Sequence, residues 1–397
     1  MKHNGPRYFP YFGNIVFSGN NVLATYLKVR RDYGMPYAIW IHDDLCYATD
    51  DPKEIKVILN HPDCFNKATF YSKVVESCLF DGFALIPISE IDKWKLYRRF
   101  AAKSMRPAIL LAVLGRRTTF QRVIPDYFWK YHTENGKDFC NIINTIRKQV
   151  YEIIQMKRQA FQKETNNDTL NSTKFLNSYL QDEGTVFTDE EIFHQVYFLA
   201  AASTETSALS VCFILLQLGM DQDVQEKVHQ EIIDLLGTDK EIVLQDLNKL
   251  KYTEQVIFET LRIYPVLPFL GRQATSNIRL DGKIIPNGTN IIVSPYMIHR
   301  NEKYWPDCEK FNPERFNAEE SKNIEPGSFV PFLLGPRDCV GRHYGMTMMK
   351  VFLTNIIREF RIVARKQSID DMKLSYYITM KPTSNVDLQF IQRAPNH

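Results

Sequence analysis

Residues 331–345 read PFLLGPRDCVGRHYG, with a single thiol, Cys339, set among glycine, proline and arginine. Three chemistries use an isolated cysteine. A cysteine hydrolase needs a histidine base brought in from elsewhere. Here the nearest histidine, His343, lies four residues on, in what reads as the same helix. A zinc site needs further Cys or His at short spacing. The seven cysteines (Cys46, Cys64, Cys78, Cys140, Cys212, Cys308 and Cys339) are scattered and form no CxxC pair. The third chemistry is a haem thiolate, in which one cysteine ligates iron and the protein adds an apolar, hydrogen-bonding shell.

The neighbours of Cys339 favour the third. Gly335 and Gly341 let the backbone pass close to a flat macrocycle. The run VGRHYGMTMMKVFLTNIIREF predicts a helix with Cys339 at its N-terminus, where amide donors and the positive helix end stabilise a thiolate. Arg337 offers a planar fork for a carboxylate, and Phe332 an aromatic face to pack beside a ring. Taken singly, a buried cysteine is more often a small core residue. Glu259 and Arg262, at i and i+3, share one helix face and read equally as a solvated surface pair. Glu205 followed by Thr206 inside a helix is unremarkable by itself.

The elements that must position these residues are mostly helical. Residues 21–32 read as an amphipathic helix, 35–50 as a hairpin, and 51–62 as a capped helix ending before proline. Residues 163–174 read as a polar loop. Thr188 and Glu191 form a capping box, with Gly219 as the C-terminal stop of a helix of roughly thirty residues, about 45 Å long. Its middle is apolar on most sides, so it belongs in the centre of a fold. A second helix, 252–263, ends before Pro265. Strands with DG and NG turns follow over 272–295, and the tail, 374–393, reads as another hairpin.

The 397 residues carry a net charge of +3, which gives no case for nucleic acid. Scattered, odd-numbered cysteines in a chain of this size argue against a disulfide framework and for a reducing compartment. The opening residues, MKHNGPRYFPYFGN, are polar and proline-rich rather than an anchor, and the run 208–220 reads as too short to cross a bilayer.

Phe332-x-x-Gly335-x-Arg337-x-Cys339-x-Gly341 resembles the haem-binding signature of cytochrome P-450. Other segments resemble the family's in the right order: Trp94-x-x-x-Arg98, the turn Ala202–Thr206, Glu259-x-x-Arg262, and FNPERF at 311–316. The likeness runs from about Gly5 to Arg393, and GPRYFPYFGN resembles the family's proline-rich hinge. It implies one mainly α domain with small β-sheets over residues 1–397, a long central helix above haem b and the cysteine loop below. Cys339 becomes the iron ligand, inside a motif formed with Phe332, Gly335, Arg337 and Gly341. Trp94, Arg98, Arg272 and Arg337 become candidates for holding the propionates; Arg98 and Arg272 read alternatively as surface arginines. Glu259, Arg262 and Arg315 become a structural ion network. Thr206 and Glu205 become the alcohol and acid that deliver protons during oxygen activation.

The activity implied is monooxygenation of a hydrophobic small molecule. NADPH supplies the electrons through a cytochrome reductase, with cytochrome b5 as a second donor. The reductase would dock on Lys95, Arg98, Arg99 and Arg342. Phe83, Ala201, Ala202, Val266, Leu267 and Ile378 are the expected pocket walls. The implied location is the cytosolic face of the endoplasmic reticulum membrane, although the opening residues read alone suggest a cytosolic chain.

Four departures from the family pattern stand out. Ser203 replaces a glycine and could bond a carbonyl one turn back. WKLYRRF, GPRDCVG and VLQDLNKLKYTEQVIFETLRIYP most resemble the insect branch of the family-4 clan, yet Ala202 stands where classical members carry the glutamate that esterifies haem. Only about a hundred positions separate Arg98 from Glu205, so several dozen residues look to be missing between about 140 and 150. The anchor is not seen. A second reading therefore stands beside the enzyme: a shortened member that binds haem without turnover, or one that binds none. A haem-thiolate isomerase, needing no reductase, is disfavoured by Glu205 and Thr206.

Overall fold

The computed structural model describes residues 5–6, 22–41, 44–69, 86–104, 134–164, 187–238, 242–365, 374–376, 379–382 and 386–393. Most of residues 5–14, the loop at 165–174, Cys78, Phe83 and Ile378 lie outside them. The longer helices are α1 (Val22–Tyr33), α2 (Pro52–Asn60), α3 (Ile91–Ser104), α4 (Glu134–Glu164), α5 (Asp189–Met220), α6 (Gln222–Leu236), α7 (Lys251–Ile263) and α8 (Arg342–Glu359). The strands are β1 (Tyr37–Ile41), β2 (Asp44–Thr49), β3 (Leu270–Gln273), β4 (Ile278–Leu280), β5 (Lys283–Ile285), β6 (Asn290–Val293), β7 (Phe360–Ala364), β8 (Leu374–Tyr376), β9 (Met380–Pro382) and β10 (Leu388–Gln392). This is the expected mainly helical architecture with small sheets. The chain divides into two compact units, 72–205 and the remainder, with the division inside α5.

In the larger unit, β1, β2, β6 and β3 form one sheet in that order. β1–β2 and β6–β3 are antiparallel, and β2–β6 is parallel. Local chemistry sets these elements. Asp51 caps α2 by accepting from the Lys53 amide at 2.8 Å, with Pro52 in the first turn, where its missing N–H costs nothing. Asp281 and Gly282 both take positive φ, the primed turn that closes β4 onto β5. The tail departs from the expected hairpin. β8 pairs with β9, whereas β10 pairs with β7, in line with α8.

Gly219 also departs from its expected role. The helix runs one residue beyond it, and a β-carbon there would lie 2.9 Å from the amide nitrogen of Ala364. Close approach to β7, not a helix stop, selects the glycine. The end comes from Asp221, whose extended backbone and carboxylate cap α6 by accepting from Val224 at 3.0 Å. Across α5, α6, α7 and α8 the core closes through residues such as Ile214, Leu218, Ile232, Ile257, Leu353 and Ile357. By length and composition α5 would also qualify as a membrane span; its C-terminal half is spent in this core.

In the second unit the capping box is present. The Thr188 amide donates to Glu191 at 3.0 Å, and the Glu191 amide donates to Thr188 Oγ1 at 3.2 Å. Helix α4 runs unbroken for 31 residues through the segment around 140–150. Ile143, Ile146, Val150 and Ile154 form one buried stripe along it, at helical spacing. Opposed charges then tie α4 to the start of α5: Arg147 to Glu190 at 2.7 Å and Arg158 to Asp189 at 2.8 Å, with the Tyr151 hydroxyl donating to Glu190.

Among the described residues the most buried charges belong to α7. Glu259 and Arg262 are both 0% exposed, joined through Nε at 2.7 Å and Nη2 at 2.8 Å, which removes the surface-pair alternative. Arg315 comes to 3.5 Å of the same carboxylate, and the Asn312 amide donates to it at 2.9 Å. Cutting one partner of such a pair strands the other in the core. Glu259→Ala is therefore expected to lose about 3–5 kcal/mol in urea unfolding. Glu319→Ala, which breaks the exposed pair with Lys322, should change stability by less than about 1 kcal/mol.

Candidate functional site

The cysteine loop is built from the residues that precede α8. Leu333 and Gly335 both take positive φ. For Gly335 the reason is doubled: at φ +77°, a β-carbon would be driven into the carbonyl oxygen of Leu59 on α2. The Cys339 amide donates to the Phe332 carbonyl at 2.9 Å, and the Asp338 amide to Gly335 at 3.1 Å. Cys339 lies two residues before Gly341, the N-cap of α8, and the Arg342 amide reaches back to its carbonyl at 3.3 Å. The helix thus begins three residues after the thiol rather than at it. Phe332 packs on the helical core, with the Arg342 guanidinium 5.8 Å from its ring.

None of the six described cysteines forms a disulfide. Cys46, Cys64 and Cys308 are buried in protein, and burial pushes the Cys64 and Cys308 thiols up to about 12. Cys339 is the exposed one.

Arg272 and Arg337 are both buried, at 1% and 6% exposed, which removes the surface alternative for Arg272. Both border one short segment. Arg337 stacks over the Phe65 ring at 4.3 Å, and Arg272 forms a β-bridge with Lys67. Val266 is buried and Leu267 half-buried in this unit. In the second unit Trp94 is buried on α3, with the Arg98 guanidinium 5.4 Å from its ring. The neighbouring Tyr97 donates to Glu191 at 2.7 Å. Ala201 and Ala202 are half-buried on α5, and Ser203 donates to the Ala200 carbonyl at 3.3 Å without interrupting the helix. Thr206 offers its carbonyl to Ser210 Oγ at 2.8 Å. Lys95, Arg99 and Arg342 are exposed.

A residue the motif reading passes over sits behind the loop. His299 is fully buried after the helical turn Pro295–Ile298. Its Nε2 accepts from the Val330 amide at 2.9 Å, and its Nδ1 lies 3.2 Å from the Arg262 carbonyl. An amide can only donate, so Nε2 is bare and Nδ1 carries the proton. The Arg262 guanidinium returns a bond to the His299 carbonyl at 2.8 Å. Burial, with Arg262 and Arg300 nearby, pushes the imidazole down to about 3. In sequence His299 is a lone histidine between an apolar run and the polar Arg300–Lys303, and no spacing singles it out.

No three His, Cys, Asp or Glu side chains gather to hold a metal ion among the described residues. One exposed thiol can serve a metal only as a single ligand. That donor set fits a metal that brings its other ligands with it, as haem iron does.

Comparison with known proteins agrees with that fit. The family model for Cytochrome P450 matches residues 108–390, and the chain belongs to this family. It is 34% identical to Cytochrome P450 4V2 of Rattus norvegicus over 217 residues, 54% of this chain and 41% of that protein. It is 31% identical to Lithocholate 6-beta-hydroxylase of Mesocricetus auratus, again over 217 residues, 55% of this chain and 43% of that protein. Cytochrome P450 3A15 of Cavia porcellus aligns at 24% identity over 462 residues, covering 98% of this chain and 91% of that protein. The first matches thus span about two fifths of those relatives, and 31% identity to Cytochrome P450 3A9 of Rattus norvegicus over an equal 217 residues does not single out one branch.

Two expectations follow. Gly335→Ala is expected to cost at least about 1–2 kcal/mol from its backbone conformation alone, read as a lower thermal midpoint. The unfolded His299 takes up a proton near pH 6.5, which the folded one refuses down to about 3. Its contribution to stability is therefore complete above pH 6.5 and is lost as pH falls toward 3. The slope reaches at most about 1.4 kcal/mol per pH unit. Urea unfolding across that range checks it, since His299→Gln should flatten the slope.

Proposed function

We propose that the protein is a haem-thiolate monooxygenase that places one oxygen atom from O2 into a hydrophobic small molecule. The observation that carries this reading is the exposed Cys339 thiol on a turn fixed by Gly335 and by the Phe332–Cys339 hydrogen bond. Haem, when bound, supplies the oxygen and redox chemistry. The protein's own residues then have separable tasks. Cys339 is the iron ligand, and its thiolate donates electron density. Arg337 and Arg272, buried on the border of the Phe65–Lys67 segment, bind the propionate carboxylates. Phe332 and the half-buried Leu267 supply apolar surface. Thr206 holds a proton-donating water through its hydroxyl, and Glu205 passes protons to it. Trp94 and Arg98 keep their propionate role on the family resemblance alone.

The name of the Mesocricetus auratus relative, a hydroxylase of lithocholate, supports an apolar substrate class. Family likeness supports NADPH-derived electrons from a cytochrome reductase, with cytochrome b5 as a second donor, and the cytosolic face of the endoplasmic reticulum membrane as the site of action. The exposed Arg342 supports docking of an acidic partner surface, and Lys95 and Arg99 keep that role on the family resemblance alone.

A second reading has its own support. The 462-residue alignment is longer than the 397-residue chain, and α4 runs straight through the segment where the family pattern calls for more chain. A shortened member could bind haem and yet not turn over. Two measurements separate the readings. The reduced protein with carbon monoxide should show a strongly red-shifted Soret band, lost in Cys339→Ser. NADPH consumption with reductase should then depend on an apolar substrate, and Thr206→Ala should keep consuming NADPH while product per NADPH falls. A red-shifted band with no substrate-dependent consumption means binding without turnover. No haem uptake at all sinks both.

A further inference from the structure

The cysteine loop is connected to the buried ion network by one imidazole. From the end of α7 the Arg262 carbonyl accepts from His299 Nδ1–H. His299 Nε2 accepts from the Val330 amide. The Val330 carbonyl accepts from Leu333 at 3.1 Å, and Phe332, between them, accepts from Cys339 at 2.9 Å. The ring lies against Phe329 with centroids 5.4 Å apart. Phe329 in turn contacts Phe258, Phe316 and Trp305. The ring's position is thus fixed by packing on one side and by α7 on the other.

We propose that His299 is a positioning residue for the cysteine ligand, setting the start of the loop at Val330 in register with α7 through its Nδ1–H tautomer. The proposal rests on the haem-thiolate reading for its purpose, and on the hydrogen bonds alone for its geometry. Residues that orient a metal ligand without touching the metal act in this way. His299 does it at the loop's entrance, where Val330 lies nine residues before the thiol. Arg262 then has two tasks: it pairs with Glu259 through its guanidinium, and it anchors the loop through its carbonyl.

The test uses two polar variants of the full chain. In His299→Gln the side-chain carbonyl falls near the Nε2 position and can accept from Val330. In His299→Asn it ends one bond short. Hydrogen exchange at the amides of Val330, Leu333 and Cys339 needs no haem. In the Asn variant all three should exchange at least about tenfold faster, the effect of one lost buried hydrogen bond. The Gln variant should stay near wild type, and the amides of α7 and α8 should not change in either. With haem loaded to equal content, the Asn variant should give a larger share of the less red-shifted carbon monoxide band, and the Gln variant should not. Acceleration at Val330 alone would overturn the proposal, because the bond would then be local. Equal acceleration through α7 and α8 would overturn it too, making His299 a general stabiliser. If the Asn variant does not accumulate, His299→Leu replaces it, with the same outcomes. A wild-type chain without the strongly red-shifted band would sink the haem-thiolate reading, and the exchange result would still decide the role of His299.

Discussion

Burying Arg262 beside Glu259 creates a demand that the surrounding chain must meet. A guanidinium in the core has five N–H groups to satisfy, and a carboxylate has lone pairs to fill. The side chains meet part of this through each other. Backbone meets more of it: the carbonyls of His299 and Lys310 accept from Arg262, and the Asn312 amide donates to Glu259. Trp305 covers the guanidinium, with its ring 5.3 Å from the Arg262 carbon. They pin two stretches of irregular chain between β6 and α8, one at 299 and one at 310–312. That region has little regular structure, and the buried pair organises what hydrogen-bond ladders otherwise would.

The placement of Cys339 follows from this. A thiol on a turn is only as well positioned as the backbone behind it. Here that backbone is held at Gly335 by contact with α2, and at Val330 by His299. The loop therefore takes its position from two helices as well as from its own short-range bonds. A surface turn of this length with no such supports would be free to drift.

Much of this was legible in the sequence, and the reasons are local. The capping box at Thr188 and Glu191, the Asp51 cap and the Asp281–Gly282 turn each state their geometry within four residues. The cysteine motif holds a glycine at 335, where the backbone takes positive φ, and Glu259 and Arg262, at i and i+3, meet as an ion pair. What stayed hidden depends on distant chain. Gly219 looked like a helix stop but is selected by Ala364, far away in sequence. The β10 strand looked like half of a local hairpin but pairs with β7. His299 carried no signal, because its partners, a carbonyl on α7 and an amide at Val330, are main-chain atoms that almost any residue could supply.

The unbroken stripe of Ile143, Ile146, Val150 and Ile154 along α4 has a consequence for how such a chain tolerates change. Each residue added or removed within a helix turns everything beyond it by about 100°. A helix therefore conserves azimuth, not length: a change by whole turns leaves the far half facing its partner, while a change by one or two residues swings Ile154 toward solvent and carries Arg158 away from Asp189. Two segments can be welded inside a helix at almost any point, provided the weld is in phase.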